Sequence, residues 1–226
     1  MHWRDAAVDV AAIATAACAV LVTSAFFLRP SWLPVPGRNG AFEQAETPVS
    51  NWQDLLGSGF RIGPKTAALT LIEFGDFQCP FCRKYALTLD SVRTEHPEDF
   101  AIVFHNFPLS YHELAYTLAK AGVCAARQGR FEAYYDAAYR HQLDRPTLTP
   151  VDIGLAAGMP DTASYRACVR DTTPVPAIDR DIARARAIGA GGTPTIIVDG
   201  MRYARNPSAS DLEAMVREHV RSQAHR

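Results

Sequence analysis

The sequence shows no excess of basic residues, no second Cys-x-x-Cys pair and no internal repeat. Its 226 residues carry 23 Lys and Arg against 24 Asp and Glu, a formal net charge of -1. Nucleic-acid binders usually carry a basic excess, so this balance argues against a nucleic-acid partner. There are five cysteines, Cys18, Cys79, Cys82, Cys124 and Cys168. Only Cys79 and Cys82 stand in a Cys-x-x-Cys spacing. No second such pair and no closely spaced Cys/His pair accompanies them. A structural zinc site needs four ligands, so the metal reading of the motif lacks its other half. What remains is an ordinary globular composition, 48% hydrophobic and 21% charged.

Charge is also absent from residues 10–28, VAAIATAACAVLVTSAFFL. As a helix this run rises about 28 Å, close to the hydrocarbon thickness of a bilayer. Its length favours a retained membrane anchor. A cleaved signal peptide is the alternative, because Thr23-Ser24-Ala25 offers small residues for cleavage. Against cleavage stand the length of the run and the acidic Asp5 and Asp9 in its lead. The run has no polar face, which argues against a buried soluble helix. Cys18 within it reads as a small apolar filler. Residues 29–51 read as a linker broken by Pro30, Pro34, Pro36, Gly37, Gly40 and Pro48. Residues 52–63 suggest a short helical turn leading into an edge strand.

The chemistry concentrates in residues 69–82. Leu69 to Gly75 reads as a buried strand, and Asp76-Phe77-Gln78 as a turn into a helix that opens at Cys79-Pro80. Proline suits the first helical position, where its missing N–H costs nothing. A helix N-terminus presents unpaired N–H groups and a positive dipole end, which stabilise a thiolate. The pKa of Cys79 should therefore fall. Cys79 and Cys82 can close a small disulfide, with Cys79 expected to be the more exposed sulfur. That pattern suits thiol–disulfide exchange.

Further along, the helix from Pro80 should end before Pro97, and residues 100–107 read as a second core strand. Helical periodicity covers residues 113–128 and 131–142. The Tyr134, Tyr135 and Tyr139 stripe reads as core packing. Thr149-Pro150 and Asp161 mark two further helix starts, and residues 176–188 form a longer helix. Residues 196–198 read as a short buried strand, Asp199-Gly200 as a hairpin turn, and Ser208 or Ser210 as the cap of a final helix.

Phe74-Gly75-Asp76-Phe77-Gln78-Cys79-Pro80-Phe81-Cys82-Arg83 resembles the active-site segment of DsbA-like thiol:disulfide oxidoreductases of the thioredoxin superfamily. Gly192-Thr193-Pro194-Thr195, followed by Ile196-Ile197-Val198-Asp199-Gly200, resembles their cis-proline loop and the strand after it. Phe107-Pro108-Leu109, His112 and residues 124–131 resemble the family's helical insertion. The resemblance runs from about Gly63 to the C-terminus. It implies an α/β thioredoxin fold over residues 63–226, with the insertion at about 110–188. Ahead of it, residues 29–62 read as the linker and lead-in, and residues 1–28, from their charge-free run, as an N-terminal transmembrane anchor or a signal peptide.

It also implies roles. Cys79 would be the nucleophile and Cys82 its resolving partner. Pro80, Phe81, Thr193 and Pro194 would face the substrate, with the Thr193–Pro194 bond cis. Glu73, six residues before Cys79, matches an acid that family members bury under the active site; the alternative is a solvent-facing strand glutamate. Cys124 and Cys168 could be a structural disulfide, two separate core thiols or part of a metal site. The oxidising compartment favours the disulfide. His112 reads as a structural cap. No cofactor or metal is implied. The partners implied are substrate proteins carrying thiols or disulfides, and a membrane redox protein that resets the site. The expected setting is a monomer anchored by its first helix, with the catalytic domain in the periplasm or otherwise outside the cytoplasm. Reductase, isomerase and non-catalytic chaperone readings share the same fold.

Overall fold

The computed structural model describes residues 46–142 and 148–225. The anchor expected at residues 10–28 lies outside them. No helix among the described residues is long and apolar enough to cross a membrane.

Six strands form one sheet: β1 (Glu46–Pro48), β2 (Phe60–Ile62), β3 (Leu69–Gly75), β4 (Phe100–Asn106), β5 (Thr195–Val198) and β6 (Met201–Tyr203). Their order is β1-β6-β5-β3-β4-β2. The central strands β3 and β4 are parallel and fully paired from Leu69↔Phe100 to Gly75↔Asn106. A parallel pair needs a crossover, which α2 (Pro80–Glu95) supplies. β5 and β6 add antiparallel beyond β3. Their turn is Asp199-Gly200, both at positive φ, as the Asp-Gly pair leads one to expect.

Two findings differ from the sequence reading. Residues 29–51 read as a linker, yet Glu46–Pro48 pairs with β6. Pro48 is tolerated because β1 is an edge strand. The boundary placed at Gly63 falls after α1 (Gln53–Leu56) and β2, which are the helical turn and edge strand read within residues 52–63; β2 pairs antiparallel with β4, so this lead-in is part of the sheet.

The remaining helices are α3 (Ala115–Ala126), α4 (Phe131–Arg140), α5 (Pro150–Ala156), α6 (Thr162–Arg170), α7 (Pro176–Ala187) and α8 (Ala209–Ala224). Three helix starts follow their predicted caps. Thr149 and Ser208 each form a capping box, with Asp152 and Asp211, and Asp161 accepts from the Ser164 N–H.

Strand alternation divides the core into two layers. Leu69 and Leu71 of β3 join α2, α8 and the inserted helices α3–α6 in the larger layer. Ile72 and Phe74 point the other way, toward Leu55 of α1 and Ala185 of α7. The smaller layer holds a buried polar knot. His105 bridges Asp181 Oδ1 (Nδ1, 2.8 Å) and the Leu55 carbonyl (Nε2, 3.0 Å), tying β4 to α7 and α1. Asp181 Oδ2 also accepts the Asn106 backbone N–H at 3.0 Å. Asp181→Ala would strand several buried donors at once. We expect it to lower unfolding stability by about 3 kcal/mol, measured by urea denaturation, because leaving buried polar groups unpaired costs that order.

Candidate active site

The turn between β3 and α2 is fixed from several sides. Asp76, buried, accepts the Gln78 N–H on Oδ1 (2.7 Å). Its Oδ2 accepts the Leu109 N–H (2.9 Å) and bonds His112 Nδ1 (2.7 Å). Gln142 Nε2 donates to the carbonyls of Phe77 (3.1 Å) and Cys79 (2.9 Å). These bonds hold Cys79 as the extended N-cap of α2, with Pro80 in its first turn. His112 was expected to cap a helix. Instead α3 begins at Ala115 with no side-chain cap, and the ring of His112 is spent on Asp76.

Both thiols are free in this structure. Cys79 is 3% exposed and Cys82 fully buried, so the expected contrast in accessibility is small. Chemistry separates the two sulfurs far more. The Cys82 thiol hydrogen-bonds to Cys79 and is the main cause that lowers the Cys79 pKa to about 5. Burial opposes this, and the N–H groups of Cys82 and Phe81 assist. The Cys82 thiol is pushed well above its usual range, first by burial, then by its bond to Cys79 and by the charge on Glu73. Cys82 Sγ also accepts the Asp76 N–H at 3.5 Å. One sulfur is built to be a thiolate and the other to keep its proton.

The Thr193–Pro194 bond is cis. Cys79 Sγ lies 3.4 Å from the Thr193 carbonyl oxygen, so the loop before β5 sits against the N-terminus of α2. Phe81 points outward at 70% exposure. Glu73 lies in the same alternating row as Leu69 and Leu71, where an apolar side chain would be expected, and is fully buried. It faces the Cys79–Cys82 layer rather than solvent. Burial is the main cause that raises its pKa to about 8, partly offset by a hydrogen bond from Tyr135. Gly75 makes room for it. A Cβ there would meet the Phe104 ring at 2.4 Å and Glu73 Oε1 at 3.1 Å.

The structure therefore brings together Cys79, Cys82, Glu73, Pro80, Thr193 and Pro194. Cys124 and Cys168 belong elsewhere: they form a disulfide joining α3 to α6 across a sequence separation of 44. Among the described residues no cluster of three or more His, Cys, Asp or Glu could hold a metal ion. Sequence reasoning gave Asp76, Gln142 and Tyr135 no role at the site. Apart from the Asp76–Gln78 bond, their partners lie 33 to 65 residues away, beyond any local pattern.

A family model described as Thioredoxin matches residues 56–218. The chain belongs to the thioredoxin family. Three solved structures show the same fold, in the DsbA-like form with inserted helices. BdbD from Bacillus subtilis (oxidised) is 14% identical with a TM-score of 0.65, covering 79% of this chain and 98% of that one. The thiol-disulfide exchange protein alpha-DsbA2 from Wolbachia pipientis is 17% identical with a TM-score of 0.63, covering 75% and 92%. A periplasmic thioredoxin-like protein from Salmonella enterica serovar Typhimurium is 24% identical with a TM-score of 0.52, covering 72% and 90%. Among curated proteins, Na(+)/H(+) antiporter NhaA 1 of Mycolicibacterium gilvum (strain PYR-GCK) is 34% identical over 158 residues, 68% of this chain and 25% of the relative. The chain thus spans about a quarter of the length of that relative. As a thioredoxin-family member it carries a Cys-Pro-Phe-Cys pair and a cis-proline loop in facing positions.

The two thiols should titrate far apart. Thiolate absorbance of the reduced protein should rise with a midpoint near pH 5 for Cys79. In Cys82→Ala that midpoint should move up toward the ordinary thiol value of about 8.5, since the main stabilising bond is gone. The folded pKa lies below the unfolded one. The thiolate's contribution to the stability of the reduced form is therefore complete above about pH 8.5 and lost as pH falls through the folded value.

Proposed function

We propose that this protein is an extracytoplasmic thiol:disulfide oxidoreductase that donates the Cys79–Cys82 disulfide to substrate proteins. The observation that carries this reading is the placement of Cys79 at the N-cap of α2, bonded by the thiol of a fully buried Cys82, which sets the acidities of the two sulfurs apart. A stabilised Cys79 thiolate favours the reduced dithiol, which makes the disulfide the stronger oxidant. In the forward reaction a substrate thiolate attacks Cys79 Sγ and the Cys79–Cys82 bond breaks. Cys82 leaves as a thiolate and takes a proton, for which the raised Glu73 carboxyl is the nearby source. A second substrate thiolate then attacks its own sulfur in the mixed disulfide and releases Cys79 as a thiolate. The substrate is oxidised by two electrons and the enzyme is reduced by two. A reductase of this fold would work better without so stable a thiolate.

The cis Thr193–Pro194 loop and the outward Phe81 form the face that meets the substrate chain. An extracytoplasmic setting is supported by the bound Cys124–Cys168 pair and by the periplasmic relative from Salmonella. We place the protein as a monomer held at the membrane by residues 10–28, with a membrane redox partner returning the reduced pair to the disulfide. Antiport forms no part of the reading, because the match covers only a quarter of the antiporter relative.

Trapping tests the assignment. Cys82→Ala keeps the attacked sulfur but loses the resolving thiol. Its Cys79 thiolate should attack a disulfide of an oxidised substrate protein or of the redox partner, displace one sulfur as a thiolate, and accumulate as covalent adducts on non-reducing gels, lost on adding reductant. Cys79→Ala should accumulate far fewer and show no turnover in oxidising a reduced, unfolded protein. Equal trapping by the two variants, or normal turnover by Cys79→Ala, would overturn the roles.

A further inference from the structure

Glu73 sits on the central strand with apolar neighbours on both sides. Its register partners are Phe104 on β4 and Ile196 on β5. Neither can bond a carboxyl group. From α2 it faces Cys79, Cys82 and Tyr85, and from α4 it faces Tyr135 and Tyr139. Of these, Tyr135 alone makes a hydrogen bond to it among the described residues: the hydroxyl donates to Oε2 at 2.9 Å. The other oxygen, Oε1, is buried with no hydrogen-bond partner there, and so are the hydroxyls of Tyr85 and Tyr139. An acid so placed depends on a single donor.

That donor comes from the helical insertion and not from the thioredoxin core. Its ring is fixed by an aromatic cage. Tyr135 meets Phe104 edge-on at 5.5 Å, Phe77 at 6.2 Å and Tyr139 at 4.9 Å. Phe77 belongs to the turn just before Cys79, and Phe104 lies opposite Glu73 in the sheet. Such edge-to-face contacts prefer particular ring orientations, so the hydroxyl is aimed rather than free to swing. The same side chain, with Tyr139, Arg83, Asp136 and Arg140, lines a surface cavity of about 140 Å³ between α2 and α4.

Building on the exchange chemistry above, we propose that Tyr135 is a positioning residue for the reaction, its hydroxyl governing when Glu73 is charged and hence when Cys82 receives its proton. The proton balance is closed. Glu73 gives its proton to the departing Cys82 thiolate, and Tyr135 O–H stabilises the carboxylate left behind. One proton from solvent then restores the acid. Of the two protons released by the substrate dithiol, one is thus replaced on Cys82 and the other stays in solution, with Cys79 remaining a thiolate. Without the Tyr135 hydroxyl the carboxylate loses its only donor among the described residues, and the acid holds its proton to higher pH.

A titration read on the carboxyl itself separates this claim from the functional reading. The full chain is labelled with carbon-13 at glutamate carboxyls, reduced, and titrated by NMR. The Glu73 signal is assigned by its loss in Glu73→Gln. A hydrogen bond to a charged group is worth on the order of 1.5–3 kcal/mol. Tyr135→Phe should therefore raise the Glu73 midpoint by at least about one pH unit, a tenfold change in its ionisation constant. Tyr139→Phe removes a buried hydroxyl from the same helix and cage that does not bond Glu73. It should leave the midpoint within a few tenths of a unit. The rate at which the oxidised protein forms the mixed disulfide, the step in which Cys82 leaves, should follow the same upward shift in its pH profile in Tyr135→Phe. A Glu73 midpoint unmoved in Tyr135→Phe, or moved equally in Tyr139→Phe, overturns the proposal. If the midpoint shifts as expected but no variant or wild-type protein oxidises dithiols, the control of Glu73 by Tyr135 stands and the oxidase reading falls.

Discussion

A carboxylic acid and two thiols are buried together on one side of the sheet, in the layer of Leu69 and Leu71, and this crowding constrains the rest of the site. Burial disfavours charge on every one of these groups. The fold resolves the conflict by making one of them the anion. Cys79 is placed at the N-cap of α2, where the Cys82 thiol and main-chain N–H groups stabilise its negative charge. Cys82 and Glu73, deeper in the layer, hold their protons more tightly than usual. The three shifts reinforce one another. The Cys79 charge raises Glu73, and the Glu73 charge raises Cys82.

Keeping that arrangement requires rigid support, and the inserted helices supply much of it. Gln142, just beyond α4, grips the carbonyls of Phe77 and Cys79, and Arg83 of α2 donates to the Tyr139 carbonyl at 3.2 Å. Asp76 and His112 tie the turn to the segment that leads into α3. The Cys124–Cys168 bond then joins α3 to α6, holding the insertion together. The insertion is thus part of the active-site framework and not an appendage to it.

Much of this was legible in the chain. A buried strand, a turn and a Cys-Pro helix start follow from local rules, as do the Asp199-Gly200 hairpin and the caps at Thr149, Asp161 and Ser208. The cis bond before Pro194 came from resemblance, since no local rule distinguishes it from an ordinary loop proline. What escaped the sequence was contact between distant residues. Tyr135 read as one member of an aromatic core stripe, which it is, but its hydroxyl ends on a residue 62 positions earlier. Gln142 and Asp181 carried no signal at all, because a single polar residue gains its meaning from what the fold brings to it. Glu73 was placed by resemblance. Strand alternation then explains why it faces Cys82: it occupies the row of Leu69 and Leu71. The edge strand β1 was hidden by its proline and by its length.

The central claim is that thiolate stabilisation at Cys79 makes the Cys79–Cys82 disulfide an oxidant, and its reduction potential tests this most directly. Equilibration with glutathione at pH 7 should give a value nearer the roughly -120 mV of a strong oxidant than the roughly -270 mV of thioredoxin. Between about pH 5 and 7 the reduced pair holds one proton, on Cys82, so the potential should fall by about 30 mV per pH unit. Below pH 5 both sulfurs are protonated and the slope should double to about 59 mV. A potential near that of thioredoxin, or a two-proton slope throughout, would contradict the account.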